Sequence, residues 1–204
     1  NLRFHAGEEL NDPGFSKKLS DLGDIFVNEA FSASHRTHSS ISSLAHLLPS
    51  YAGILLQSEL ESLARALETP QRPLGAIIGG AKVSTKLELL ENLVKKVDLL
   101  IIGGGMANTF LFARGIDIGK SLAERNLVET VKNIEKAAEI VRCKIVLQTD
   151  AVVAGELKQN PKTETLPITS VPLDSMILDA GPASVQEFSE QLSKCKTIIW
   201  NGPL

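Results

Sequence analysis

Apolar positions along this chain follow two alternating rhythms. Short apolar runs at 74–78, 99–102, 144–147, 176–178 and 197–200 have the length of buried strands. Helical patterns fall between most of them. Thr85 and Glu88 form a capping-box pair ahead of Leu87, Leu90, Val94 and Val97. Residues 106–113 read as a short helix closed by Gly115, and 123–141 as a long one with Leu127, Val131, Ile134 and Ala138 on one face. Strands alternating with helices predict an α/β fold whose parallel sheet is covered on both faces.

Earlier in the chain, Ile54, Leu55, Leu60, Leu63, Ala64 and Leu67 recur at helical spacing over 53–67. That helix should end before Thr69-Pro70, because a residue preceding proline avoids the helical conformation. Gln71-Arg72-Pro73 then reads as a linker, so the expected division is 1–70 and 71–204, with the helix bridging the two parts. Residues 160–172, rich in Thr, Pro and Ser, read as a surface loop. No internal repeat or low-complexity segment interrupts the pattern.

Composition narrows the function classes. The 204 residues are 43% hydrophobic and 22% charged, as in a globular chain with a real core. With 21 Lys+Arg against 24 Asp+Glu and a net charge of −3, the balance argues against a generic nucleic-acid binder. The charge is uneven: 5 basic and 9 acidic residues in 1–70, against 16 and 15 in 71–204. No stretch approaches the apolar length of a membrane span, and Asn1-Leu-Arg-Phe-His5 lacks a signal-peptide pattern. Cys143 and Cys195 could pair, but they read as structural thiols of a reduced, intracellular chain. A start at Asn1 and a stop after Asn201-Gly-Pro-Leu204 read as cut ends, so both domains are expected to be incomplete.

In open parallel sheets, ligands bind beyond the carboxyl ends of the strands. The segments following the five runs are Gly79-Gly-Ala-Lys82, Gly103-Gly-Gly105, Gln148-Thr-Asp150, Asp179-Ala-Gly-Pro182 and Asn201-Gly-Pro203. Four of the five meet glycine, and two open directly into helices, whose N-termini favour phosphate. One such loop would be ordinary turn chemistry; four on one rim point to a bound anion. Lys82 lies beside the glycines, and Lys86 is expected one helical turn later on the same face. Two ammonium groups there suit a nucleotide or a phosphoryl group in transfer, which is catalysed by positioning and charge neutralisation. Gly115-Ile-Asp-Ile-Gly-Lys-Ser121 imitates a P-loop but has three residues between its glycines instead of four, and it follows a helix.

The first part carries His35-Arg36-Thr37-His38. An intervening Arg and the lack of a Cys or carboxylate cluster oppose a metal. Arg36, with the hydroxyls of Ser32, Ser34, Ser39 and Ser40, suits a phosphate or carboxylate, and Arg3 is a second candidate. The alternative for each is a solvated surface Arg. His46 is expected to pack or to face solvent. A non-catalytic nucleotide- or phosphometabolite-binding protein competes with an enzyme here; a purely structural α/β domain ranks last.

The segments Asn1-Leu-Arg-Phe-His5, Asn28-Glu-Ala-Phe31, His35-Arg-Thr-His38, Gly79-Gly-Ala-Lys-Val-Ser-Thr-Lys86, Ile101-Ile-Gly-Gly-Gly-Met106 and Trp200-Asn-Gly-Pro203 resemble the phosphoglycerate kinase family in this order along the whole chain. The resemblance implies a two-domain fold of Rossmann-like parallel sheets, a cytoplasmic, hinge-bending monomer, and reversible phosphoryl transfer from 1,3-bisphosphoglycerate to Mg-ADP. The products are 3-phosphoglycerate and ATP, and Mg2+ is bound with the nucleotide. It implies no nucleic-acid or membrane partner. By resemblance, Arg3 and Arg36 hold phosphoglycerate and Lys82 stabilises the phosphoryl group in flight. Lys86 contacts nucleotide phosphates, and Gly80, Ala81, Gly103, Gly104 and Asn201 line the nucleotide site. Residues 53–67 would be the interdomain helix. The chain departs from the family pattern at Glu29, Gln148 and Ile177. It also lacks family segments that carry a substrate loop, a catalytic Arg and a further phosphate loop. This implies little or no turnover by the chain as given.

Overall fold

Short helices and hydroxyl side chains, rather than apolar runs, shape the first 69 residues. In the computed structural model, which describes residues 1–202, the chain forms two units, Asn1–Thr69 and Pro70–Leu204. Unit one contains α1 (Ala6–Glu9), α2 (Pro13–Ser20), β1 (Phe26–Asn28), α3 (Leu44–Leu47), β2 (Ser50–Ala52) and α4 (Ile54–Glu68). A π-helical stretch, Ser39–Ser43, leads into α3. α2 starts where a helix should: Asp12 accepts from the Phe15 N–H at 2.7 Å, with Pro13 in the first turn. β1 and β2 pair in parallel, Phe26 opposite Ser50 and Asn28 opposite Ala52. α4 agrees with the amphipathic pattern to within a residue and stops before Thr69-Pro70. Its first turn is capped from 26 residues away by Glu29, whose Oε2 accepts from the N–H groups of Leu55 (2.8 Å) and Leu56 (3.1 Å).

Unit two contains β3 (Leu74–Ile78), α5 (Leu87–Leu93), β4 (Leu99–Ile102), α6 (Gly104–Ala113), α7 (Val128–Val141), β5 (Lys144–Val146), β6 (Asp150–Ala154), β7 (Glu164–Pro167), β8 (Met176–Ala180), α8 (Pro182–Leu192) and β9 (Thr197–Asn201). Four strands form an all-parallel sheet in the order β5-β4-β3-β9. Phe188, Leu192 and Cys195, on and just beyond α8, pack against Leu99, Ile101 and Val146 on one face. Ala76, Ile78, Leu100 and Ile102 alternate to the other face and are fully buried. Burial on both faces is why the central strands β3 and β4 read as continuous apolar runs rather than alternating ones. α7 buries Val131, Ile134 and Ala138, as its period requires, and turns out at Arg142 in the left-handed conformation (φ +61°).

Several expectations are corrected. The 176–178 run is not in the parallel sheet: β8 pairs antiparallel with β6, which pairs antiparallel with β7. The glycine after it therefore leaves the rim, and three glycine-bearing strand ends share the parallel sheet's edge rather than four. β6, whose apolar run is 151–154, was missed because 148–150 reads as the loop after the preceding strand, which leaves the run that follows it without an element. The 160–172 segment is not all loop, because β6 supplies Glu164–Pro167 with a backbone partner, and Pro167 sits at the strand's end, where a missing N–H costs nothing. The long helix begins at Val128, not at 123: Arg125–Leu127 is a 3-10 turn, and the residues before it are claimed by tertiary bonds. The Thr85/Glu88 capping box does not form. Thr85 Oγ1 instead donates to Lys82 O (2.9 Å), and a 3-10 turn, Ser84–Lys86, precedes α5. Lys82 and Lys86 are thus not on one helical face; Lys82 belongs to the loop. Cys143 and Cys195 are both free thiols. The P-loop look-alike is a loop after α6, with Gly119 bridging to Met176. Among the described residues no helix is long and apolar enough to cross a membrane.

Candidate functional site

Register brings the glycine loops together. Ile78 lies opposite both Ile102 and Asn201, so β3, β4 and β9 end level and their following loops share one rim. The loops bond to each other: Gly79 N–H donates to Asn201 O (3.0 Å), Gly103 N–H to Ile78 O (2.8 Å) and Met106 N–H to Gly80 O (3.0 Å). Gly104 adopts φ +66°, and a Cβ there would stand 2.9 Å from Gly80 O. At Gly105 a Cβ would stand 2.7 Å from Ala81 O. Glycine is required at both positions by the close approach of the two loops, and at Gly104 also by the backbone angle.

α6 begins immediately, with Gly103 at its N-cap and no side chain capping it. Its first N–H groups lack intrahelical acceptors and carry the positive end of the helix dipole, an arrangement suited to phosphate. Lys86 closes the rim. Its Nζ donates to Gly79 O (2.8 Å) and to Asn201 Oδ1 (2.6 Å), tying the β3 loop to the end of β9. Lys82 lies exposed in the loop between Ala81 and Val83, and the fully buried Val83 anchors that loop to the core.

Glu124 was not singled out by sequence, and no local signal marks it, since it grips a residue 40 positions away. Its Oε2 accepts from Ser84 N–H (2.8 Å) and its Oε1 from Ser84 Oγ (2.5 Å). The Ser84 hydroxyl and N–H, outweighing desolvation and helped by Val83 N–H and the Lys82 charge, hold the Glu124 carboxyl below its ordinary range. A second cap of this kind lies at α8, where Asp150 accepts from Ala183 N–H (3.0 Å) and Ser184 N–H (2.7 Å).

In unit one, Arg36 is exposed and lines an open cleft of about 460 Å³ with His35, Thr37, His46 and Tyr51. His46 therefore faces this cleft. Arg3 does not line it; its Nε stands 3.7 Å from Glu9 Oε1 in the 3-10 turn Leu2–Phe4. The two arginines expected together have separate surroundings. His38 turns away as well, its Nδ1 3.7 Å from the buried Glu8. The expected hydroxyl cluster is largely committed elsewhere. Ser34 Oγ donates to Ala30 O (2.9 Å), Ser39 Oγ to Gly7 O (2.8 Å) and Ser40 Oγ to Glu8 Oε1 (2.5 Å). Of the expected site residues, Gly80, Ala81, Gly103, Gly104, Lys86 and Asn201 converge on one rim, with Lys82 beside it.

A family model described as phosphoglycerate kinase matches residues 1–204. Similar curated proteins include phosphoglycerate kinases of Methylorubrum extorquens strain PA1, 58% identical over the whole chain, and Chelativorans sp. strain BNC1, 59% identical; the chain spans 51% of each. Among solved structures, phosphoglycerate kinase from Coxiella burnetii superposes over the whole chain with a TM-score of 0.80 at 43% identity. That from Pyrococcus horikoshii OT3 does so with a TM-score of 0.78 at 31% identity. The chain covers 52% and 53% of those two structures. It thus spans about half the length of the relatives it matches.

Proposed function

The chain belongs to the phosphoglycerate kinase family, and from that premise we propose that the rim of unit two binds the phosphates of ADP or ATP. The protein of which this chain is a part would then transfer a phosphoryl group reversibly between 1,3-bisphosphoglycerate and ADP. The carrying observation is the convergence of Gly80, Gly103 and Gly104 with the Lys86 ammonium and the start of α6, which no side chain caps and where, among the described residues, only Met106 N–H is taken, by Gly80 O. Backbone N–H donors and a positive helix end supply a preformed anion cradle, and a lysine adds a point charge where phosphate charge builds up. In this reading Lys82, exposed beside the cradle, neutralises the phosphoryl group in transfer, which needs positioning and charge rather than a covalent protein intermediate. Bound with the nucleotide, Mg2+ would supply counter-charge to the phosphates; among the described residues the rim offers it no free carboxylate, and its oxygens at Gly79 and Asn201 are taken by Lys86. Arg36, at the unit-one cleft, and Arg3 would bind phosphoglycerate as guanidinium partners of phosphate or carboxylate. Arg3 would have to give up Glu9 to do so, an exposed pair of small worth. Residues 1–70 and 71–204 would serve as substrate and nucleotide parts, with α4 between their tasks.

Calorimetric titration of Mg-ADP into this chain tests the reading. Lys82→Ala is the informative variant, because Lys82 is exposed and its loss should leave the melting temperature unchanged. Binding about 10-fold weaker than the parent is expected, the scale of one charge-assisted contact. Equal heats from parent and variant would refute the site.

A further inference from the structure

We infer that Glu124 is a positioning residue for this rim: its carboxylate holds the loop carrying Lys82 and Lys86 in register with the first turn of α6. The inference rests on the rim being the nucleotide-phosphate site. Glu124 is joined to both sides of that rim. Through its backbone, its N–H donates to Thr109 Oγ1 (3.1 Å), and the fully buried Thr109 hydroxyl donates in turn to Gly105 O (3.3 Å) in the first turn of α6. Through its side chain, both carboxylate oxygens hold Ser84, one at the N–H and one at the hydroxyl. Ser84 starts the 3-10 turn that ends in Lys86, and Lys82 lies two residues before it.

The segment carrying Glu124 is itself anchored. Asn108 Nδ2 donates to Leu122 O (3.2 Å), Arg125 Nη2 donates to Gly119 O (2.9 Å), and the Arg125 guanidinium lies 4.5 Å over the Phe112 ring. The grip on Ser84 thus starts from a fixed base. Besides the buried Val83 and the bonds of the Lys86 ammonium, the lysine loop has little to order the Lys82 end: it has no capping box, and Thr85 bonds only back to Lys82 O within the loop itself. Lys86 is held at its ammonium by Gly79 O and Asn201 Oδ1, so the bidentate carboxylate acts chiefly on the backbone from which the exposed Lys82 projects, and preorganised charge is what such a site relies on. Glu124 also places a negative charge near Lys82, so it tempers the positive field of the rim.

The test is calorimetric binding of Mg-ADP to this chain and its variants. Glu124→Ala should weaken binding about 10-fold, while Glu124→Gln, which keeps one carbonyl acceptor for Ser84, should weaken it only about 3-fold. Ser84→Ala, which leaves the backbone bond in place, should resemble Glu124→Gln. Glu129→Gln, on the exposed start of α7, should bind as the parent does. The distinguishing readout is coupling: the Glu124→Ala loss should shrink when Lys82 is already Ala, whereas a merely structural role gives additive losses. Should Glu124→Ala fail to fold, Glu124→Gln and Ser84→Ala carry the same comparison. Unchanged affinity in these variants, or additive losses, would overturn the inference while Lys82→Ala still upheld the site. No binding by the parent, or no effect of Lys82→Ala, would overturn the site and this inference together.

Discussion

The two units of this chain are held together by different chemistry. In Asn1–Thr69, Leu56 is the one buried apolar side chain among the described residues, while Glu8, Ser16, Ser20 and Ser39 are buried. Phe4, Leu22 and Ile54 are each more than four-fifths exposed. Order there comes from hydroxyls and carboxylates reaching across short elements: Ser39 to Gly7, Ser40 to Glu8, Ser43 to Asn11, Glu29 to the start of α4. Each such bond contributes about 1 kcal/mol net. In Pro70–Leu204 a packed interior of Leu74, Ile78, Leu100, Ile102, Met106 and Phe110 sits beneath the rim. A buried aliphatic or aromatic side chain contributes about 1.5–3 kcal/mol by transfer alone. The glycine rim proposed to bind phosphate is built on the unit that can hold loops rigidly, which is what precise positioning of an anion demands.

The largest expected effect follows from that contrast. Phe110→Ala, fully buried on α6, should destabilise unit two by about 3–5 kcal/mol. Trp200, the single Trp of the chain and part of β9, reports that transition by fluorescence in denaturant. Leu56→Ala should cost unit one less than half as much, read from amide exchange in β1 and β2, because Leu56 already lines an open cleft and its loss encloses no new cavity. Equal losses would break the comparison.

A middle-sized effect sharpens it. Glu8 is 3% exposed and accepts from both Ser40 N–H (3.1 Å) and Ser40 Oγ. Glu8→Ala leaves those donors without their acceptor and should cost about 1–3 kcal/mol, with Glu8→Gln intermediate. Faster exchange of the Ser40 amide is the local sign. If Glu8→Ala left unit one's exchange unchanged, the polar network would not be what orders it.

The same contrast explains what the sequence revealed. β3 and β4 were legible because strands buried on both faces carry uninterrupted apolar runs, β9 because its run 197–200 is apolar although Ile198 and Trp200 are about half exposed, and α7 because Val131, Ile134 and Ala138 keep a strict period. The glycine rim was legible because each loop follows its strand directly. The second sheet was not: β7 is almost wholly exposed, and its pairing with β6 is a backbone matter. Ser39 and Ser40 looked like anion ligands around Arg36, yet they are spent on Gly7 and Glu8, more than 30 positions earlier. Glu124 with Ser84, and Asp150 with Ser184, lie 40 and 34 positions apart, beyond the reach of any local pattern.

The smallest effect concerns acid. Desolvation of Asp150 is outweighed by the Ser184 hydroxyl, the Ser184 N–H and the Ala183 N–H, which together hold its carboxyl below the ordinary range. A carboxyl depressed in the folded state stabilises the fold fully above its unfolded value, about 3.9, and that contribution drains as pH falls through the lower folded value. Asp150→Asn should therefore cost about 1 kcal/mol at neutral pH, the scale of a lost helix cap. The gap to the parent should close as pH drops below that range. Denaturant midpoints of unit two followed by Trp200 between neutral pH and strong acid measure both. A gap that persists undiminished in acid would mean that the Asp150 cap acts through shape rather than charge. Unit two's rigidity would then rest on its apolar interior alone, with its long-range carboxylate caps adding no charge-dependent stability.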